Sequence, residues 1–517
     1  MSRLRNFTRG VASGYVQMAA NIAFTLISVP LALHYLSKAE FAVWALISQV
    51  LLYLALVELG MGPSVSRILA DHKDERESGV YGGVMKAGAI VFGVQGLVLA
   101  ATAFLLAPMT ATLLQIEPNL REEFVFLLRA NGAMLGCAFC MKIWGTPFWS
   151  FQRYDVSNFN VSFGFAVQMA GIWWGFANGW GLRSMLVGNG LLTIFSPLWN
   201  IIAGLRLGVF PRWGAWGRIE RSIMHELFAF ARDIFVMSVG AQLLSASQVI
   251  IISRVMGLEA AATWVICSKI YTLAQQAVGR VFDATVGAFT EMFVRGEADR
   301  LSARLQDVVT LTASLSVAIG VIAATINESF VEVWSHGKAT WPLHVDILLA
   351  IFLVVACVSR CQTGISGVIK DLRVMRLIYF LEGVTFVCLA AFAARKLGFI
   401  GVAGAATLAM LPWSGLFGMQ LTRRVTNCSW GEVLSWLRPA VMLALTFVPV
   451  AIATRLCVSG APAVVRLSVL VVSLGASSIA LLWFFGLSNS LRAELIARWY
   501  SWRGVVVSDG RRSSLVL

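Results

Sequence analysis

The chain has 517 residues, 58% of them hydrophobic and only 13% charged, whereas an average soluble domain carries about 25% charge. That composition excludes a soluble globular protein and leaves room for about a dozen crossings of roughly 20 apolar residues each. The net charge of +14 would suggest nucleic acid in a soluble chain, but a polytopic protein gathers Lys and Arg in its cytoplasmic loops for topological reasons, so no nucleic-acid partner is expected.

Arg3, Arg5 and Arg9 precede an apolar run that continues to Leu36. It is too long for a cleaved leader and reads as a retained first span. Windows of about 19 residues predict about fourteen spans. They begin near Gly14, Phe41, Gly83, Phe124, Phe159, Ser184, Ala229, Ala260, Leu305, His344, Leu377, Ile400, Pro439 and Arg466. With the N-terminus inside, cytoplasmic segments hold roughly three times the Lys and Arg of exterior loops, which puts both termini in the cytoplasm. The expected fold is an all-α polytopic membrane protein.

Two cytoplasmic pieces read as lying on the bilayer surface. Residues 210–227 mix Arg212, Arg218 and Arg221 with Trp213, Trp216, Ile219 and Ile223; the tail sets Leu491, Leu495, Trp499 and Trp502 at helical spacing among Arg492, Arg498 and Arg503. That mixture suits an interfacial helix, and a solvated basic loop is the alternative. After Val507 the composition suggests disorder. Cys137 and Cys140 form a CxxC in an apolar stretch with no second pair, so helix packing is expected rather than a metal or disulfide framework. No cofactor is implied.

A shift of 220 residues brings the spans into register. Trp44 then meets Trp264, Arg153 meets Arg373, and Gly181 meets Gly401. The expected architecture is two six-helix bundles, 1–209 and 229–430, joined by a linker at 210–228. Because six is even, the repeats run parallel about a pseudo-twofold axis along the membrane normal, which places a cavity between them. Two further spans occupy 431–487, and 488–517 forms an amphipathic or disordered tail.

Span 8 carries a polar stripe. Gln276, Arg280 and Asp283 follow Lys269 at seven, eleven and fourteen residues, all within about 40° of one line on a helix. Lys269 lies near mid-membrane, where a cation costs at least ~2.5 to 3.5 kcal/mol, so it is expected to face protein or water and bind an anion. The competing reading is that Arg280 pairs with Asp283 and snorkels to the surface. Spans 1 and 7 add uncharged faces, Gln17, Asn21, Thr25 and Ser28 in one and Ser238, Gln242 and Ser245 in the other. They would line one hydrated cavity or serve as interhelical hydrogen-bonding glue. Arg129 and Glu382 sit shallow enough to snorkel. Glu58 opens the step Glu58-Leu59-Gly60-Met61-Gly62-Pro63, followed by Arg67. Its glycines permit close backbone approach and Pro63 suits a helix start, so a hinge or an ordinary ion-paired helix end are both consistent.

Four segments in order carry a family resemblance: Pro30-Leu31 with Leu36 and Trp44; Glu58-Leu59-Gly60-Met61-Gly62; Gln152-Arg153-Tyr154-Asp155 with Asn158; and Val255-Met256-Gly257. On this topology the chain resembles the multidrug/oligosaccharidyl-lipid/polysaccharide exporter superfamily, specifically the bacterial polysaccharide-biosynthesis flippases, over about residues 5 to 430. The resemblance implies an inner-membrane protein that moves undecaprenyl-pyrophosphate-linked O-antigen or exopolysaccharide repeat units outward by alternating access. Lys269 and Arg280 would hold the pyrophosphate, Gln276, Gln17, Asn21, Gln242 and Arg129 would line the cavity, and Asp283, Glu58, Arg67, Gly60 and Gly62 would couple or gate. Implied partners are the lipid-linked glycan, membrane lipids, the polysaccharide polymerase, the chain-length regulator, and proton or sodium as coupling ion. Members often carry an acid in span 7, where this chain has Ser247 and Gln248.

A multidrug cation antiporter would want acids rather than Lys and Arg deep in its cavity. A lipid II flippase differs at the level of substrate, and its cationic set in the first bundle is not visible in spans 1 and 2. A membrane-embedded glycan-modifying enzyme would need positioned acids, bases or His at a reaction centre; His34, His336 and His344 sit at exterior ends without ligand spacing. No GxxxxGK[ST] occurs, so no ATPase is expected in the chain.

Overall fold

The computed structural model describes residues 3–496 apart from 59, 76, 78, 284, 370–372, 489, 490 and 495. Among the described residues there are helices and no strand. The first half holds α1 (Arg3–Tyr35), α2 (Lys38–Leu54), α3 (Met61–Asp71), α4 (Val80–Leu113), α5 (Pro118–Cys140), α6 (Thr146–Ser150), α7 (Tyr154–Ala177) and α8 (Ser184–Leu207). After the linker come α9 (Arg221–Ser245), α10 (Ser247–Met256), α11 (Leu258–Cys267), α12 (Lys269–Asp283), α13 (Val286–Val294), α14 (Ala298–Trp334), α15 (Leu343–Thr363), α16 (Ile365–Val368), α17 (Arg373–Leu397) and α18 (Phe399–Met410). The chain continues through α19 (Leu416–Thr426), α20 (Trp430–Ser435), α21 (Arg438–Cys457) and α22 (Ala463–Leu481). Among the described residues, 12 helical stretches are long and apolar enough to cross a membrane. The other two expected spans are α7, which carries Asn158, Asn160 and Gln168, and the segment 258–283, which is interrupted at Ser268 into α11 and α12.

Local chemistry sets the boundaries. Ser37 caps α2 by accepting the Glu40 N–H at 3.2 Å while Glu40 accepts the Ser37 N–H at 2.8 Å, and Ser429 with Glu432 repeats this device at α20. Each reciprocal pair satisfies two donors that a helix start otherwise leaves open. Element starts recur near the expected period: α2 and α11 begin at Lys38 and Leu258, α7 and α17 at Tyr154 and Arg373.

The chain divides into two compact units, and these do not coincide with the sequence halves. The first comprises Met1–Leu273, Phe330–Leu348 and Asp371–Ser414. Within it α1 packs on α7, α7 on α8 and α4 on α5, while α9 packs on α17 and α17 on α18. A Cβ on Gly96 would lie 2.4 Å from the Gly136 carbonyl oxygen, and one on Gly383 would lie 2.5 Å from that of Gly240. Helices α4 and α5, and α9 and α17, therefore approach as closely as small residues allow. Met61, Val65, Tyr81, Phe92, Ile143 and Leu227 form one core of this unit.

The linker differs from a surface helix. Residues 211–220 are not helical, and α9 already begins at Arg221. Lys86 Nζ donates to the Gly217 carbonyl at 3.0 Å, and Gly79, Gly82 and Gly83 lie against the linker backbone. Docking on the start of α4 supplies hydrogen-bond partners that a helix would otherwise have provided internally. Of the tail helix expected from Leu491, Leu495, Trp499 and Trp502, residues 491–494 are helical, while Leu495, Trp499 and Trp502 lie outside the described residues, as does Leu59.

The second unit comprises Ala274–Ser329, Leu349–Lys370 and Gly415–Leu517. Its long helix α14 is gripped by the last two spans. Arg455 pairs with Glu328 at 2.5 Å, Arg466 Nε donates to Ser329 Oγ at 2.6 Å, and Thr310 donates to the Trp436 carbonyl at 3.0 Å. Phe282, Leu305, Val309, Ile365 and Trp436 share a core there.

Candidate functional site

The Glu58 step breaks the backbone as its glycines and proline suggest. Residues Ala55–Glu58 tighten into a 3₁₀ turn, Gly60 takes φ +72°, and α3 starts at Met61 with Pro63 in its first turn. A Cβ on Gly62 would lie 2.3 Å from Glu58 Oε1, so glycine is what lets the carboxylate fold back to accept the Gly62 N–H at 3.1 Å. The same carboxylate pairs with Lys142 Nζ at 2.6 Å. That ammonium also stands 5.2 Å from the Phe139 ring centroid and 5.8 Å from that of Phe92, within cation–π range.

This ion pair forms part of the wall of a cavity of about 890 Å³ that lies wholly inside the first unit. Arg67 and Gly62 line it too. Opposite elements contribute amides: Asn131 from α5, Asn160 from α7, and Asn189 and Asn200 from α8. Asn189 donates to Asn131 Oδ1 at 2.8 Å and accepts from Gln168 at 2.7 Å. Asn160 donates to Asn200 Oδ1 at 2.9 Å and exchanges hydrogen bonds with the Ser196 hydroxyl. Trp149 and Tyr154, also lining the cavity, meet edge to face at 5.2 Å.

The turn beside Tyr154 is held by Arg153, which donates Nε and Nη2 to the two oxygens of Asp155 at 2.9 and 3.0 Å. Partial burial pushes the Asp155 carboxyl up, but the Arg153 hydrogen bonds and charge, with backbone N–H donors, outweigh it and hold the carboxyl below its ordinary value.

Span 8 runs as α11 and α12 with a one-residue turn at Ser268, whose N–H still donates to the Trp264 carbonyl at 2.9 Å, and Lys269 is the first residue after that turn. Its side chain is half-buried, and among the described residues it makes no hydrogen bond or ion pair. Gln276, Arg280 and Asp283 are exposed on the same helix. Asp283 does not pair with Arg280. Its partner is Arg360 of α15, at 2.9 Å, which leaves Arg280 without an acidic partner among the described residues.

Of the other predicted residues, Gln17, Asn21 and Gln242 are half-buried and none lines the cavity in the first unit; nor does Lys269. Gln242 receives the Tyr53 hydroxyl on its carbonyl at 3.2 Å. Arg129 donates to the Phe104 carbonyl at 3.1 Å and lines a separate surface cleft with Arg121 and Glu122. Glu382, expected to be shallow, is 2% exposed and accepts the Ser414 N–H at 3.2 Å and its hydroxyl. The cavity thus gathers Glu58, Arg67 and Gly62 from the prediction. It adds Lys142 and the asparagines, which the sequence reading missed; amides deep in otherwise apolar spans were the available signal.

A sequence profile of the family described as polysaccharide biosynthesis protein matches residues 8–293. No curated protein matches the chain significantly. Solved structures do. An inward-facing multidrug resistance MATE family transporter of the MOP superfamily is 12% identical with a TM-score of 0.64, covering 82% of this chain and 99% of that one. The lipid II flippase MurJ in an inward closed conformation is 12% identical with a TM-score of 0.63, covering 92% and 98%. A MOP superfamily transporter from Pyrococcus furiosus, described by its reversed binding-pocket polarity, is 12% identical with a TM-score of 0.60, covering 82% and 96%. At these identities the likeness is one of fold: this is a multi-pass membrane protein with the helical architecture of that superfamily.

Proposed function

Because the chain belongs to the polysaccharide biosynthesis protein family, we propose that it is a flippase for undecaprenyl-pyrophosphate-linked oligosaccharide repeat units. It carries them from the cytoplasmic to the outer leaflet of the bacterial inner membrane by alternating access, with both termini in the cytoplasm. The observation that carries this reading is Lys269, a half-buried cation just after the turn in span 8 that no acid neutralises among the described residues. A lipid pyrophosphate crosses hydrocarbon poorly unless its charge is compensated. Lys269 and Arg280 supply that compensation, and Gln276, Gln17, Asn21 and Gln242 give the hydrogen bonds of a wet path between bundles 1–209 and 229–430. Arg129 serves at its outer end. Glu58 with Arg67, or Asp283, couples the cycle to proton or sodium, with Gly60 and Gly62 as hinge. The glycan polymerase and chain-length regulator are the downstream partners. The lipid II flippase alternative differs only in the sugar carried.

The test substitutes Lys269 in a strain whose surface polysaccharide depends on this protein, with protein level controlled. Lys269→Ala is expected to lower surface polysaccharide about tenfold or more, the loss of a charge-assisted contact, while Lys269→Arg retains most of it. Normal export by Lys269→Ala removes the anion-binding role.

A further inference from the structure

The wall of the cavity in the first unit is mostly apolar, with polar side chains set into it. About half of its lining side chains carry a donor or acceptor, and its volume of about 890 Å³ lies within the ~300–1,000 Å³ of small-molecule sites. Interhelical glue is the ordinary explanation for amides inside a membrane bundle. The proposed internal repeat offers a comparison. At the period of 220, Asn131, Asn160 and Asn189 correspond to Ile351, Phe380 and Ala409, and only Asn200 meets another amide, Gln420. On the proposed repeat, the second half does not carry three of these four amides.

The chemistry of the wall is specific. A side-chain amide offers two N–H donors and an acceptor oxygen, which matches a hydroxyl that both gives and takes a hydrogen bond. Asn160 and Asn189 are fixed by their neighbours, so the array is held in place before any ligand arrives. The Asn200 amide accepts from Asn160, yet its own N–H groups have no acceptor among the described residues. Trp149 and Tyr154 are exposed, at 58% and 39%, and give flat apolar faces beside the amides. Fixed amides next to aromatic faces suit a molecule with hydroxyls around its rim and C–H groups on its face. A lipid tail would leave the amides unserved, and a lipophilic cation would meet Lys142 and Arg67.

We infer that this cavity is a saccharide-binding compartment, which takes the sugar portion of the transported molecule apart from the place where Lys269 holds the pyrophosphate. The inference rests on the flippase reading and adds to it a second, separately testable site.

The experiment uses the full-length protein in nanodiscs and, as probe, the repeat-unit oligosaccharide released by mild acid from the lipid carrier of the dependent strain. This probe has neither lipid nor pyrophosphate. Equilibrium binding is measured for the wild type, for Asn160→Leu and for Trp149→Ala, the last because an exposed ring outside the amide network can be removed without unfolding the bundle. The wild type is expected to bind the free oligosaccharide, and each substitution to weaken binding about tenfold, with the melting temperature of Trp149→Ala unchanged. No binding by the wild type, or equal binding by wild type and Trp149→Ala, overturns the inference. Export by the Lys269 variants judges the transport reading independently, so the two can fail separately.

Discussion

Gly60 combines two constraints that a single substitution separates from each other by comparison with Gly179. Both have positive φ, +72° and +75°, but a Cβ on Gly60 would come 2.7 Å from the Ala231 carbonyl oxygen and 2.7 Å from Ile234 Cβ, whereas Gly179 has nothing within 4 Å. Gly179→Ala should cost about 1 kcal/mol for the left-handed backbone alone, and Gly60→Ala about 2 to 4 kcal/mol once the collision is added. Thermal unfolding of the detergent-solubilised protein checks both; equal effects would show that the contact to α9 is not maintained. Gly60, Gly62 and Pro63 were readable in the sequence because glycine and proline mark a break by themselves. Lys142 was not, since its meaning depends on Glu58, which is remote in the chain. The asparagines were equally hidden, for they are spread over α5, α7 and α8 and only tertiary packing makes them neighbours.

At the level of single elements, hydropathy located the helices better than their interruptions. The expected starts at Ser184 and Pro439 fall within a residue of α8 and α21, yet span 8 has a turn at Ser268 and α9 begins at Arg221 rather than near Ala229. An average over a window cannot register a one-residue turn, and Arg221, Arg232 and Asp233 depress the hydropathy of a helix that nonetheless continues. The Arg153–Asp155 clasp at the start of α7 gives a pH-dependent prediction. Since the Asp155 carboxyl is held below its ordinary value, its contribution is complete above the unfolded value of about 3.9 and is lost as pH falls through the lower, folded one. Asp155→Asn should therefore destabilise at pH 7 by about 1 kcal/mol or less, given partial exposure, and the difference from wild type should begin to narrow only as pH falls below about 3.9. Melting temperatures of the two proteins across that range decide it; a constant difference would mean that the clasp is not electrostatic.

For the molecule as a whole, the period of 220 can be read in the sequence and recurs in two pairs of element starts, α2 with α11 and, to within a residue, α7 with α17. The grouping into compact units was not legible, because it depends on which helices touch. Orientation makes a direct prediction. Trp213 in the linker is fully exposed, and in the proposed orientation, with the Lys- and Arg-rich loops inside, it faces the cytoplasm. A lone cysteine placed there in an otherwise cysteine-free, export-competent variant should react with a membrane-impermeant maleimide in inverted vesicles and not in intact cells. Labelling of intact cells would invert the topology.

The mismatch between corresponding positions of the repeat has an evolutionary implication. Lys269 answers to Gln49 and Arg280 to Gly60, just as Asn131 and Asn160 answer to Ile351 and Phe380. On the proposed duplication, one copy kept or acquired the neutral hydrogen-bonding equipment and the other the strong positive charge. A chimera built from two first copies, or from two second copies, would inherit one kind of equipment twice and lack the other.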